Sequence, residues 1–363
     1  MRRTAQFARA SAAVLLAALA LAAAPANHKT RAIIFVMTDG LRWQEVFRGA
    51  DAALMNKEHG GVSDVESLRR AFWRETPQER REVLMPFLWR DAAKAGQVFG
   101  NRDAGSDSSV TNGFNLSYPG YSEALTGFAD PRVKSNDPIP NPNATVLEWL
   151  SQKAAYRGRV AAFAGWDTFN AILNTERAGF PVNAGFEPFV PDEMTPRFEL
   201  LNQLKTEMPR LFDGVPFDSI PFYTALEYLK QRKPRVLFLA LGETDEWGHL
   251  GDYAQYLRAA HRFDAYLRLL WATLQTMPEY RGGVTLIVAT DHGRGEGGED
   301  WKGHGARIPD SKYNWMAFLG PDTKALGERS HIAPVTQNQM AATLAALLGE
   351  EYEAGTPIRD VLP

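Results

Sequence analysis

Five short apolar runs punctuate the chain: RAIIFVM (31–37), RVAAFA (158–163), RVLFLAL (235–241), VTLIVAT (284–290) and YNWMAFLG (313–320). They are dense in Val, Ile, Leu, Phe and Ala and do not alternate strictly with polar residues, so each reads as a strand covered on both faces. Between them lie stretches with a helical spacing of apolar positions, PFLWRDAAKAG (86–96), NATVLEWLSQKA (143–154), DYAQYLRAAHRFDAYLRLLWATLQ (252–275) and TQNQMAATLAALLG (336–349). Strands that alternate with helices predict an α/β/α sandwich around a largely parallel central sheet. Two segments interrupt the alternation, near 50–85 and 165–225, rich in Arg, Glu, Pro and aromatic residues. They read as cap insertions on one catalytic-sized domain that spans 27–363.

The first 26 residues stand apart. MRRTAQFARA carries Arg2, Arg3 and Arg9, an Ala/Leu run follows, and Ala24-Pro25-Ala26 offers small residues to a signal peptidase. The run is shorter than the roughly 20 apolar residues that cross a bilayer, so the expectation is a signal peptide over 1–26, a periplasmic or secreted product and no stable membrane insertion after cleavage. With 45% hydrophobic and 23% charged residues in 363, a disordered or fibrous chain is excluded. A net charge of -3 leaves no basic face for a nucleic-acid polymer. The absence of cysteine removes disulfides and thiolate metal sites.

Chemistry gathers just past the strands. In an open α/β sheet, ligands bind beyond the carboxyl ends of the strands. Here RAIIFVM runs into Thr38-Asp39-Gly40, RVLFLAL into Gly242-Glu243-Thr244-Asp245, and VTLIVAT into Asp291-His292-Gly293. One such acid would be an ordinary turn or cap residue; three at the same strand-relative position are harder to assign to turns. Of seven histidines, His249, His292 and His304 sit in glycine-flanked loops beside or soon after those acids. Carboxylate oxygen with imidazole nitrogen suits Zn²⁺, with Mn²⁺ the second fit. His28, His59, His261 and His331 read as solvated or structural. Glu243 reads as an acid behind the ligands, while Arg42 and Lys302 read either as phosphate contacts or as surface charges.

This pattern resembles the alkaline phosphatase superfamily, in particular its branch of type I phosphodiesterases and nucleotide pyrophosphatase/phosphodiesterases. In that branch a hydroxyl nucleophile opens a helix in a segment similar to NLSYPGYSEALTG, ten residues ahead of the glycine that is Gly127 here. The resemblance thus implies Ser117 as nucleophile. It further implies one metal on Asp245, His249 and His304, and a second on Asp39, Ser117, Asp291 and His292, with an alkaline-phosphatase-like fold. Asn136 stands near the place of an amide that holds a phosphate oxygen, although a turn asparagine is an equal reading.

A serine hydroxyl is a weak nucleophile near neutral pH, and no histidine flanks Ser117 to act as its base, so a cation would do that work. Pro119 suits a first helical turn, which would put Ser117 just before a helix N-terminus, where an anion is favoured. Ser108, Ser109, Thr111, Ser122 and Thr126 compete for the role but lack that combination. The expected activity is a two-metal hydrolysis of small phosphate mono- or diesters through a phosphoseryl intermediate. A sulfatase or phosphonate hydrolase of the same superfamily is the alternative. For a sulfatase, SYPGY supplies the Ser and Pro of a C/S-x-P-x-R motif but has Tyr121 in place of Arg. A non-catalytic periplasmic protein that binds metal or phosphate is the reading from another class.

Overall fold

The computed structural model describes residues 28–363, so the signal-peptide segment lies outside the described residues. Ten strands occur in chain order: β1 (Ala32–Thr38), β2 (Gln97–Phe99), β3 (Ser108–Ser109), β4 (Val160–Ala164), β5 (Val182–Ala184), β6 (Val236–Leu241), β7 (Val284–Thr290), β8 (Met316–Leu319), β9 (Gly327–Glu328) and β10 (Val335–Thr336). Eight build one open sheet in the order β5-β4-β6-β1-β7-β8-β2-β9, and β3 pairs with β10 in a small second sheet. All of the main sheet is parallel except β8, which runs against β7 and β2.

The apolar runs sort their side chains onto two faces with the two-residue period of a strand. Ile34 and Val36 of β1, with Leu237 and Leu239 of β6, join one buried cluster with the helices Ser219–Arg232 and Tyr253–Thr276. Ile33, Phe35 and Met37, with Val236 and Phe238, join the opposite cluster with the helices Ser117–Thr126, Val146–Gln152 and Met340–Leu347. The α/β/α sandwich is therefore as expected, and the continuous apolar character of each run reflects burial on both sides.

Segment 50–85 contributes Leu54, Leu68, Phe72 and Leu84 to the first cluster, so its short helices pack into the main core. Segment 165–225 carries β5 and the helix Pro196–Glu207 at the opposite sheet edge. The 86–96 stretch is a wide π turn over Leu88–Ala92 that runs into one turn of α-helix at Ala93–Ala95.

Register brings the chemistry to one level. Thr38 at the end of β1 lies beside Leu241 of β6 and Thr290 of β7. The three segments that leave these strands thus start from a common rim at the middle of the sheet, where Asp39, Asp245 and Asp291 follow.

Candidate active site

The helix Ser117–Thr126 lies across the rim with its N-terminus at the centre. Leu116 is its N-cap, so Ser117 is the first helical residue and Pro119 the third, one step further inside than the sequence suggests. Close approach is possible because residue 120 is glycine: a Cβ there would lie 2.5 Å from the Asp291 carbonyl oxygen. The loop before the helix is tied down by Glu123, which accepts from Thr111 N–H at 2.9 Å, Asn112 N–H at 3.0 Å and both side chains. Sequence reasoning passes over Glu123; its signal is a carboxylate on the buried face of a helix, preceded by a Thr-Asn-Gly loop in need of acceptors.

All seven predicted ligands meet here. Ser117 Oγ stands 3.2 Å from His292 Nε2 and 3.4 Å from Asp39 Oδ1. His292 Nε2 is 3.3 Å from Asp291 Oδ2. His249 Nε2 is 2.9 Å from Asp245 Oδ2 and 3.1 Å from His304 Nε2. Donor atoms of Asp39, Asp291 and His292 lie within 4.8 Å of one another, as do those of Asp245, His292 and His304, so His292 borders both groups. The Nδ1 atoms of His292 and His304 face the carbonyls of Gly293 at 2.8 Å and Asn115 at 2.9 Å. That pairing fixes each ring and leaves Nε2 toward the shared centre.

Electrostatics mark the same spot. Burial, followed by the charges of Asp291 and Asp245, pushes the Asp39 carboxyl well above its ordinary value. Burial also pushes Asp291 up, against the opposing hydrogen bond from Gly40 N–H. Burial and the neighbouring His304 hold His292 well below the usual imidazole range, and burial lowers His304 to about 4. Asp245 differs: burial alone would raise it, but the Arg294 guanidinium, with His249 and His304, holds it well below the usual carboxylate range. Asp291 Oδ2 is buried without a hydrogen-bond partner. Three acids, three imidazoles and an orphaned carboxylate oxygen fit a site built around cations.

Asn136 reaches the site as well. Its Oδ1 accepts the Tyr118 N–H at 3.0 Å, and it lines a cavity of about 160 Å³ with Asp39, Ser117, Trp166, Val215, Gly242, Asp245, Glu246 and His249. A wider cleft of about 490 Å³ shares no residue with the site, and its Arg48 and Arg81 are paired with Asp103 and Glu328.

Of the other readings, one is corrected. Arg42 is neither a surface charge nor a phosphate contact: it is buried in an ion pair with Glu45 and donates to the Gly295 carbonyl at 3.0 Å. Lys302 turns its ammonium outward to Glu299 at 2.9 Å. Glu243 is buried behind the site, where it takes the Asp218 N–H at 2.8 Å and pairs with Arg262. Of the histidines read as structural, His261 turns Nδ1 to the Leu84 carbonyl at 2.8 Å. Tyr121, at the place of the sulfatase arginine, is buried with its ring 4.6 Å from that of Phe169.

Residues 53–317 match the family model described as type I phosphodiesterase / nucleotide pyrophosphatase. The chain belongs to this family. Members of the type I phosphodiesterase family hydrolyse phosphoester bonds. No curated protein sequence matches the chain. Solved structures agree on the fold. The alkaline phosphatase PafA is 10% identical with a TM-score of 0.59, over 93% of this chain and 99% of that one. Murine ectonucleotide pyrophosphatase / phosphodiesterase 5 in complex with AMP is 13% identical with a TM-score of 0.56, over 92% and 100%. The lipoteichoic acid synthase LtaP from Listeria monocytogenes is 13% identical with a TM-score of 0.57, over 93% and 77%.

Proposed function

We propose that this chain is an exported, metal-dependent hydrolase of small phosphate mono- or diesters that works through a phosphoseryl intermediate on Ser117. The observation that carries the reading is Ser117 Oγ within 3.4 Å of both Asp39 and His292, beside the orphaned Asp291 Oδ2. Asp245, His249 and His304 would hold one divalent cation, and Asp39, Asp291, His292 and Ser117 Oγ the other; zinc fits this donor set, with manganese second. When bound, the cations supply the positive charge that ionises a hydroxyl and offsets charge on phosphoryl oxygens.

The remaining work falls to the chain itself. Ser117 Oγ forms the bond to phosphorus as the bond to the leaving oxygen breaks, the serine proton passes to solvent, and the departing alkoxide is protonated. Water then attacks phosphorus, and the Oγ–P bond breaks to regenerate serine. The helix N-terminus favours the anion, yet Pro119 has no N–H and the Tyr118 N–H is spent on Asn136 Oδ1. The Asn136 amide nitrogen therefore takes over as donor to a phosphoryl oxygen. Trp166 and Val215 give the cavity an apolar wall for the leaving group.

The test is hydrolysis of p-nitrophenyl phosphate, bis-p-nitrophenyl phosphate and p-nitrophenyl sulfate, with and without chelator and with Ser117→Ala. Phosphoester turnover that chelator and Ser117→Ala both abolish is expected. Metal-loaded protein that cleaves none of the three would end the reading, and preference for the sulfate would favour a sulfatase. Export is tested separately by sequencing the mature N-terminus, expected just after Ala26.

A further inference from the structure

Arg294, in the loop that leaves β7, is as buried as any core residue, at 1% exposure. Its donors join the 301–302 backbone to the Asp245 and His249 pair. Nε gives to the Trp301 carbonyl at 2.8 Å, Nη2 gives to the Lys302 carbonyl and faces His249 Nδ1 at 3.3 Å, and Nη1 pairs with Asp245 Oδ1. The guanidinium has room because residue 248 is glycine: a Cβ there would lie 2.7 Å from Arg294 Cζ and Nε. The Gly-His step in DEWGH therefore has a use beyond turning the chain, since it admits the arginine that grips Asp245.

The consequence concerns which atoms remain for a cation. Asp245 Oδ1 is engaged by the guanidinium and stands 3.8 Å from His304 Nε2, whereas Oδ2 has no contact with the guanidinium and lies 2.9 Å from His249 Nε2. We infer that Arg294 is a positioning residue that restricts Asp245 to a single donor oxygen and thereby sets which divalent cation the Asp245, His249 and His304 group accepts. This inference rests on the hydrolase reading of the same site.

A carboxylate with both oxygens free can chelate, and each added oxygen favours cations that take many oxygen ligands, such as Mn²⁺ or Ca²⁺. One oxygen with two imidazole nitrogens instead matches the small, nitrogen-tolerant coordination of Zn²⁺. A charge-assisted arginine contact suits this task because the planar guanidinium, held through Nε and Nη2 by the Trp301 and Lys302 carbonyls, fixes the direction of Nη1, whereas a lysine ammonium supplies charge without a plane. The guanidinium charge repels every dication alike, so absolute affinity reports charge and the ratio between two metals reports geometry.

The experiment uses the full-length protein, stripped of metal and then equilibrated with Zn²⁺ and Mn²⁺ in competition. Bound metal is read by elemental analysis, and the melting temperature of each metal-free variant controls for folding. Arg294→Lys keeps a charge without the plane, Arg294→Gln removes the charge, and Gly248→Ala displaces the guanidinium without altering it. All three should weaken zinc binding relative to manganese by about tenfold, the low end of what losing a partner of a metal ligand costs in affinity. Should Arg294→Gln fail to fold, Arg294→Lys and Gly248→Ala still decide the matter. Wild-type selectivity in both of those would overturn the inference and reduce Arg294 to a buried counter-charge. Wild-type protein that binds neither metal would instead overturn the hydrolase reading on which the inference stands.

Discussion

Replacing Gly120 by alanine separates stability from catalysis. The new Cβ would sit 2.5 Å from the Asp291 carbonyl oxygen, 3.1 Å from its carbon and 3.3 Å from Asp291 Cβ. A carbon and a carbonyl oxygen settle no closer than about 3.3 Å, so the helix Ser117–Thr126 must withdraw by about 0.8 Å from the end of β7. Two effects on folding oppose each other. Alanine gains about 1 kcal/mol over glycine in a helix, while overpacking costs about 1–3 kcal/mol. The net loss is thus at most about 2 kcal/mol, and the protein stays folded. Ser117 lies one turn before residue 120 and moves with it, away from partners at 3.2 and 3.4 Å. Misplacement approaching 1 Å in a reacting group costs about 100-fold in rate. Urea denaturation should therefore give a midpoint near wild type, while kcat/KM on p-nitrophenyl esters falls by one to two orders of magnitude, about 10- to 100-fold. Wild-type kcat/KM in a folded Gly120→Ala protein would refute the close-packing argument, and a normal rate in the larger Gly120→Val would refute it more strongly.

Two further outcomes follow from groups around the site and core. Glu123→Ala leaves the donors of Thr111 and Asn112 without their acceptor, which should cost about 2–4 kcal/mol in urea unfolding. It should also speed zinc loss on dialysis, because the same loop holds the Asn115 carbonyl that orients His304; unchanged stability would show that solvent replaces Glu123 at no cost. Asp264 takes the N–H groups of Phe87 and Leu88, each at 2.8 Å, and burial pushes its carboxyl up to about 7 against those bonds. A raised folded-state value means that its contribution is fully present below the unfolded value near 3.8 and is lost as pH rises through about 7. That gap is worth at most about 4 kcal/mol. Stability measured from pH 4 to 8 should fall less in Asp264→Asn than in wild type, and identical slopes would exclude Asp264 as the titrating group.

The strand-end acids and their histidines were legible because their signal is local: an apolar run, then an acid, with glycines nearby. Parallel strands in register carry Asp39, Asp245 and Asp291 to one rim, so strand-relative position in the sequence became proximity in space. Arg294 was not legible, since its partners Asp245 and His249 lie 49 and 45 positions away and a charged residue in a glycine-rich loop reads as exposed. Arg42 misled for the opposite reason. Its position three residues past the first acid allowed a phosphate contact or a surface charge, but Glu45 one turn on captures it in the core. The short strands β2, β5 and β9 carry two or three residues each, too few for a period to emerge, and they exist because longer neighbours template them.

Phosphoryl transfer to Ser117 is the central step proposed, and the most direct measurement is rapid acid quench of the zinc-loaded protein during turnover of a p-nitrophenyl phosphoester, followed by peptide mass spectrometry. A phosphate-bearing adduct on Ser117, absent from chelator-treated protein, is predicted. Turnover that proceeds with Ser117 unmodified in wild type and undiminished in Ser117→Ala would contradict it.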